Sequence, residues 1–211
     1  MTRIALFIAI GGALAAGLVS EAVRFTPALP FYDTADLTPR WTLSSRHRIG
    51  DFSLVTQDGV AITRNDVMGK AHVASFIYTR CAGICPAMVT QLAKVQKAIM
   101  GRNAVLVSYS VTPQDDTPAT LAAFGELRGI DPARWKLVTG DPEQIYGLAR
   151  TSYFADDGRL DAGQAATDQF LHTEKALLVD QEGRLRGVYN ATLPHDIEKM
   201  ITDLDRLLDR N

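Results

Sequence analysis

The chain has 211 residues, enough for one domain with a substantial core and an amino-terminal extension. Its 22 Lys and Arg against 24 Asp and Glu leave a net charge of −2, so no basic field exists to draw a polyanion and nucleic acid is not an expected partner. A hydrophobic fraction of 46% without repeats or low-complexity blocks excludes a disordered chain and a solenoid.

After Arg3 the chain carries no charge from Ile4 to Ser20. A spanning helix needs roughly 20 apolar residues, which Ile4 to Val23 supplies with Glu21 among the headgroups. Residues 1–25 are therefore expected to be a single-pass anchor in the inner (cytoplasmic) membrane, with Arg3 inside and the domain on the periplasmic or outer side. A cleavable signal peptide competes, because Ala13-Leu14-Ala15 resembles the small-residue motif at which such peptides are cut. Residues 26–50 hold three prolines and show neither a period of 3.6 nor one of 2, which predicts a linker and places the folded domain at 51–211.

The domain opens on FSLVTQDGVAIT, where alternation around Asp58-Gly59 predicts a β-hairpin, followed by a helical turn at Thr63 to Met68. His72 to Tyr78 is a continuous apolar run, the pattern of a strand buried on both faces. From Pro86 to Met100 the residues Met88, Val89, Leu92, Val95 and Ile99 recur at helical steps, so the two methionines are read as core filler. Val105 to Val111 repeats the buried-strand pattern. Asp116-Thr117-Pro118 supplies a cap and a first-turn proline for a helix over 118–128, and the Asp115-Asp116 pair is read as that cap. A short strand at Trp135 to Val138 precedes a helix from Asp141 to Arg150, whose start has capping-box spacing. Beyond a polar stretch from Ala155 to Asp168, KALLVD and RLRGVY form a second hairpin around Gln181-Glu182-Gly183, and an amphipathic helix closes the chain from Pro194 to Asp209. Parallel crossovers first and a terminal ββα unit last predict an α/β, thioredoxin-like mixed sheet flanked by helices.

Only two cysteines occur, Cys81 and Cys85, between a buried strand and the helix after it. Closing so short a loop stabilises little as a disulfide, so the pair points to chemistry rather than to stapling. Unpaired N–H groups and the positive end of the helix favour thiolate there. If the helix begins near Cys81, a spacing of four places both sulfurs on one face. Soft thiolates select copper(I) or zinc(II), and a structural zinc site wants four protein ligands, more than this pair can anchor. Two sulfurs and an imidazole suit three-coordinate copper(I), while copper(II) would additionally recruit a water or an oxygen ligand. His47 lies in the linker, His72 starts a buried strand, His195 opens the last helix, and His172 stands before KALLVD. A loop histidine is ordinarily just solvated.

With FIYTRCAGICPAMVTQL, SVTPQDDTPATLAAF, WKLVTGDPEQIYGLA and FLHTEKALLVDQEG in this order, the sequence resembles the Sco (SenC) family of copper-binding assembly factors of cytochrome c oxidase, over about Gly50 to Leu208. The resemblance implies Cys81 and Cys85 as thiolate ligands and His172 as imidazole ligand, copper as the metal, a single membrane anchor, and oxidase subunit II or another exported copper protein as partner. Two departures stand out: Ala82-Gly83 where the family commonly has Pro-Asp, and Thr112 where it commonly has Asp.

The competing function is a thiol–disulfide oxidoreductase using Cys81 and Cys85 as a redox pair. Thioredoxin-type enzymes space their cysteines by two residues and carry a proline before the later strand, whereas here no proline lies between Pro142 and Pro194. A peroxiredoxin needs a threonine three residues before its cysteine, and Thr79 is two before Cys81.

Overall fold

A computed structural model describes residues 28–155 and 173–209. The expected hairpin is formed by β1 (Ser53–Thr56) and β2 (Ala61–Thr63), and one helical turn, α1 (Arg64–Val67), follows with Asp66 capping back onto Thr63. Next come β3 (Ala71–Ile77), α2 (Cys85–Ala98), β4 (Ala104–Ser110), α3 (Pro118–Arg128) and β5 (Trp135–Thr139). The helix α4 (Pro142–Gly147) widens into a π-helical turn at Leu148–Ser152. After the undescribed stretch come β6 (Lys175–Val179), β7 (Leu185–Asn190) and α5 (Pro194–Leu208).

These strands make one seven-stranded sheet in the order β2-β1-β5-β4-β3-β6-β7. The three central strands β3, β4 and β5 are parallel, as the crossovers through α2 and α3 require, and the flanking pairs are antiparallel. Both faces are covered. Val73 and Ile77 of β3 pack with Met88, Leu92 and Val95 of α2 and Ile197, Met200 and Leu204 of α5, while Ala74 and Phe76 meet Val67, Ile145, Leu148 and Tyr153 on the other side. Alternation along one strand feeds two cores, which is why its sequence is apolar throughout.

The linker expected over residues 26–50 is, in its described part, 28–50, fastened to the sheet at 29–32 and again at Ile49. Leu29, Phe31 and Ile49 are buried. Arg186 of β7 donates to the carbonyls of Pro30 (3.0 Å) and Leu29 (2.5 Å) and lies 4.1 Å over the Phe31 ring. The amide of Ile49 donates to Gly183 at 2.9 Å. Local periodicity is lacking because every partner comes from the other end of the chain.

Three further expectations change in detail. The cap of α3 is Thr117, which accepts from the Thr120 amide at 3.2 Å, and Asp116 is used elsewhere. At α4 the cap is Asp141, but Gln144 turns its carbonyl to the Ser53 amide (2.9 Å) instead of closing a capping box. Met88 is fully buried as expected, whereas α2 stops at Ala98, leaving Met100 exposed in the turn beyond it. The anchor segment 1–25 lies outside the described residues. Among the described residues no helix is long and apolar enough to cross a membrane.

His72 is buried beside the hydroxyl of Tyr153 (3.2 Å), which in turn bonds that of Tyr109 (3.0 Å), and its Nδ1 has no partner. Burial pushes its pKa down from 6.5 to about 4, against a smaller opposing pull from Asp180. In the unfolded chain the imidazole gains its proton near pH 6.5, whereas in the folded one it does so only near 4. Stability is therefore complete above about pH 6.5 and is lost as pH falls toward 4, by up to about 3 kcal/mol. Urea unfolding at pH 7 and pH 4.5 should show this drop, and His72→Phe should remove that part of it.

Candidate metal centre

The cysteine loop leaves the carboxyl end of β3, and α2 begins only at Cys85, with Ile84 as its cap. Cys81 is thus not a helical residue, contrary to the arrangement expected from the spacing. The pair still converges, by another route. The Cys81 amide bonds the Tyr78 carbonyl (3.2 Å), and the turn folds the Cys81 sulfur back over the amides of Gly83, Ile84 and Cys85 at the start of α2. Both cysteines are free thiols, Cys81 partly exposed and Cys85 buried.

Their protonation is unequal for visible reasons. Partial burial pushes the Cys81 thiol up, but hydrogen bonds from the Cys85 amide and thiol and from the Gly83 and Ile84 amides outweigh it, so its pKa falls below the usual thiol value. Burial pushes Cys85 up to about 11, helped by donation of its proton to the Cys81 sulfur and opposed by the Tyr78 amide. The two thiols are thereby made unequal, and Cys81 is the one that gives up its proton more readily. Iodoacetamide at pH 7 should alkylate Cys81 well ahead of Cys85, with a pH profile whose midpoint lies below that of an ordinary thiol, as peptide mass mapping would read. Equal rates at the two positions would contradict this arrangement.

Asp116 holds the loop in place and was not singled out for this from the sequence. It is fully buried and accepts from the hydroxyls of Ser110 (2.6 Å), Thr112 (3.2 Å) and Thr79 and from the Thr79 amide (3.4 Å). Thr79 precedes Cys81 by two residues, so the carboxylate ties the cysteine loop to the end of β4. A buried charge with four donors is well satisfied, and removing it would strand three hydroxyls. On the surface, Arg80 pairs with Asp115 across the same two loops. The available signal was that Thr117 suffices as a cap, which leaves the adjacent aspartate spare.

The two departures from the family pattern acquire a physical meaning here. A Cβ at Gly83 would sit 3.8 Å from the Cys81 sulfur, an ordinary contact, so glycine is not forced by space. An aspartate there would bring a carboxylate close to the thiolate and disfavour it. Thr112 donates to Asp116, where an aspartate would oppose one buried carboxylate with another. Gly83 keeps a carboxylate away from the Cys81 sulfur, and Thr112 keeps a second one away from Asp116.

His172 lies outside the described residues. Its neighbour Thr173 is described and buried just before β6. Because Ala74 faces Leu177 in antiparallel register, the amino end of β6 reaches the sheet end from which the cysteine loop leaves. Of the three described histidines, His47 bonds the Ser152 carbonyl (2.8 Å) and stacks on Phe154. It lies, like His72, toward the opposite end. His195 is exposed at the start of α5, at the cysteine end. No cluster of three or more metal-ligating side chains occurs among the described residues. The donor set they do supply, two soft sulfurs in mutual contact with one already favoured as thiolate, fits a soft cation.

The model of the SCO1/SenC family matches residues 42–209. The SCO1 protein homolog of Bacillus subtilis is 26% identical over 161 residues, which are 75% of this chain and 81% of that protein. Among solved structures, a SCO1/SenC family lipoprotein from Bacillus anthracis is 30% identical with a TM-score of 0.67, over 76% of this chain and 95% of its own. ScoI of Bradyrhizobium japonicum with copper bound is 26% identical with a TM-score of 0.60, over 75% and 98% respectively.

Proposed function

The chain belongs to the SCO1/SenC family, and on that premise we propose that it is a copper chaperone, carrying one copper(I) as cargo on Cys81, Cys85 and His172 and delivering it to the copper centre of cytochrome c oxidase subunit II. The observation that carries this reading is the convergence of the two sulfurs at the start of α2, with Cys81 favoured as thiolate. The copper in Bradyrhizobium japonicum ScoI supports the choice of metal. Nitrogen from His172 completes a trigonal shell and is the finer part of the proposal, supported by the position of Thr173 next to it in the chain. Loading displaces the protons that the two thiols still hold, that of the more basic Cys85 above all, so affinity rises with pH. Delivery then needs only exchange of thiolate ligands. The apolar run before residue 25 would tether the domain to the membrane, facing outward.

The unequal cysteines also favour a second reading, a tethered thiol–disulfide reductase. In it the Cys81 thiolate attacks a partner disulfide, the partner's sulfur leaves as thiolate, and Cys85 resolves the mixed disulfide, leaving Cys81 and Cys85 oxidised until an external thiol reduces them. One substitution separates the two. His172→Ala should impair oxidase maturation at limiting copper about as badly as Cys81→Ser while the protein still cycles between dithiol and disulfide. Wild-type assembly in that strain would overturn copper delivery through His172. A loss rescued by an exogenous reductant would favour the reductase.

A further inference from the structure

We propose that the face around Ala28, formed by Trp41, Leu43 and Tyr32 with the basic ends of Lys199 and Arg206, rests on the surface of the phospholipid bilayer. The inference goes beyond copper delivery but rests on the membrane tether in that reading.

The root of the tether is fixed. Arg186 grips the carbonyls of Leu29 and Pro30, and the Tyr32 amide donates to Leu185 at 3.1 Å, so residues 29–32 are fastened to the edge strand β7. Phe31 and Arg40 exchange backbone hydrogen bonds of 2.9 and 2.8 Å as an antiparallel bridge. That bridge sends Trp41 back alongside Pro30, with Leu43 two residues further along the same exposed stretch. Ala28, Pro30, Tyr32 and Trp41 line one cavity of about 310 Å³, with Lys199 and Arg206 also in its wall. Trp41 is 67% exposed and Leu43 fully so, the two large apolar side chains that this segment leaves in solvent.

Length decides where such a surface lies. Seven residue steps separate Glu21, the expected headgroup-level residue, from Ala28, and they reach at most about 25 Å. A domain of this size is roughly 40 Å across. The tether is therefore shorter than the domain it holds, and the side bearing Ala28 is the one able to meet the bilayer. Tryptophan is favoured in the headgroup layer, where its ring is part apolar and part polar. Charge agrees: Lys199 and Arg206 share one buried partner, Asp203, which leaves the rim with an excess positive charge for lipid phosphate. The Arg186 end of β7 lies at the opposite end of the sheet from the cysteine loop.

The chain's two tryptophans make the test direct, because Trp135 is fully buried and Trp41 is not. Full-length protein would be reconstituted into vesicles of phosphatidylcholine and phosphatidylglycerol, with and without bromine on the acyl chains near the headgroups. The Trp41 emission, defined by its loss in Trp41→Phe, should fall by about half with brominated lipid, as for a ring at the headgroup level. Aqueous acrylamide should reach it poorly. If the protein resists an alkaline carbonate wash yet Trp41 is quenched by acrylamide and not by bromine, the docking is overturned and the tether stands. Protection from both quenchers would mean a protein surface covers Trp41 and would equally overturn it. Release by the wash overturns the tether, and the docking with it.

Discussion

Cys81→Ser and Cys85→Ser are each expected to remove tight copper(I) binding, lowering affinity by roughly three orders of magnitude, about 4 kcal/mol. A hydroxyl is a hard, protonated donor at neutral pH and cannot replace a thiolate on a soft cation. Oxidation of the pair to a disulfide should do the same to both sites at once, since neither sulfur then carries a ligand charge. Anaerobic titration of the reduced protein against a competing copper(I) chelator measures this, with one equivalent bound by wild type. Equal affinity in reduced and oxidised protein would overturn the two-sulfur site. His172→Ala should cost less than either serine, because the two thiolates supply most of the charge that holds the ion.

The largest effect on stability is expected from the starting point of the chain. Protein beginning at Ala28 should fold, whereas protein beginning at Gly50 should not fold stably. The shorter version loses Leu29, Phe31 and Ile49, all buried, at about 1.5–3 kcal/mol each. It also strips Arg186 of two carbonyl acceptors and the ring beneath it. Together these losses match most of an ordinary domain's stability of about 5–15 kcal/mol. Urea unfolding of the two versions gives the comparison. A Gly50 version as stable as the longer one would show that the segment merely leans on the sheet.

Much of this architecture is legible in the sequence where the signal is local. The buried strands β3 and β4, the helix α3 with its first-turn proline, and the amphipathic α5 each carry a pattern within their own span. What escapes is set by distant partners. Residues 28–50 look like a linker because their order comes from Arg186 and Gly183, more than 130 positions away. Asp116 reads as a helix cap because one of its true donors, Thr79, is brought to it only by the pairing of β3 with β4. The cysteine spacing points to convergence correctly but to the wrong geometry: an amide-lined turn, not a helical face, collects the sulfurs. The same amides explain why Cys81 rather than Cys85 is the more acidic thiol, which spacing alone does not express.

The Arg186 clamp has a consequence in time as well as in space. It joins residues 156 and 157 positions apart, so Leu29 and Phe31 emerge from the ribosome long before the strand that covers them. At about 5–20 residues per second, that interval lasts roughly 8–30 seconds. Throughout it the nascent chain displays an apolar patch beside its first hydrophobic run and lacks the edge strand that would seal the sheet. The sheet edge and the segment that packs on it can therefore be completed only once the last fifth of the chain has been made.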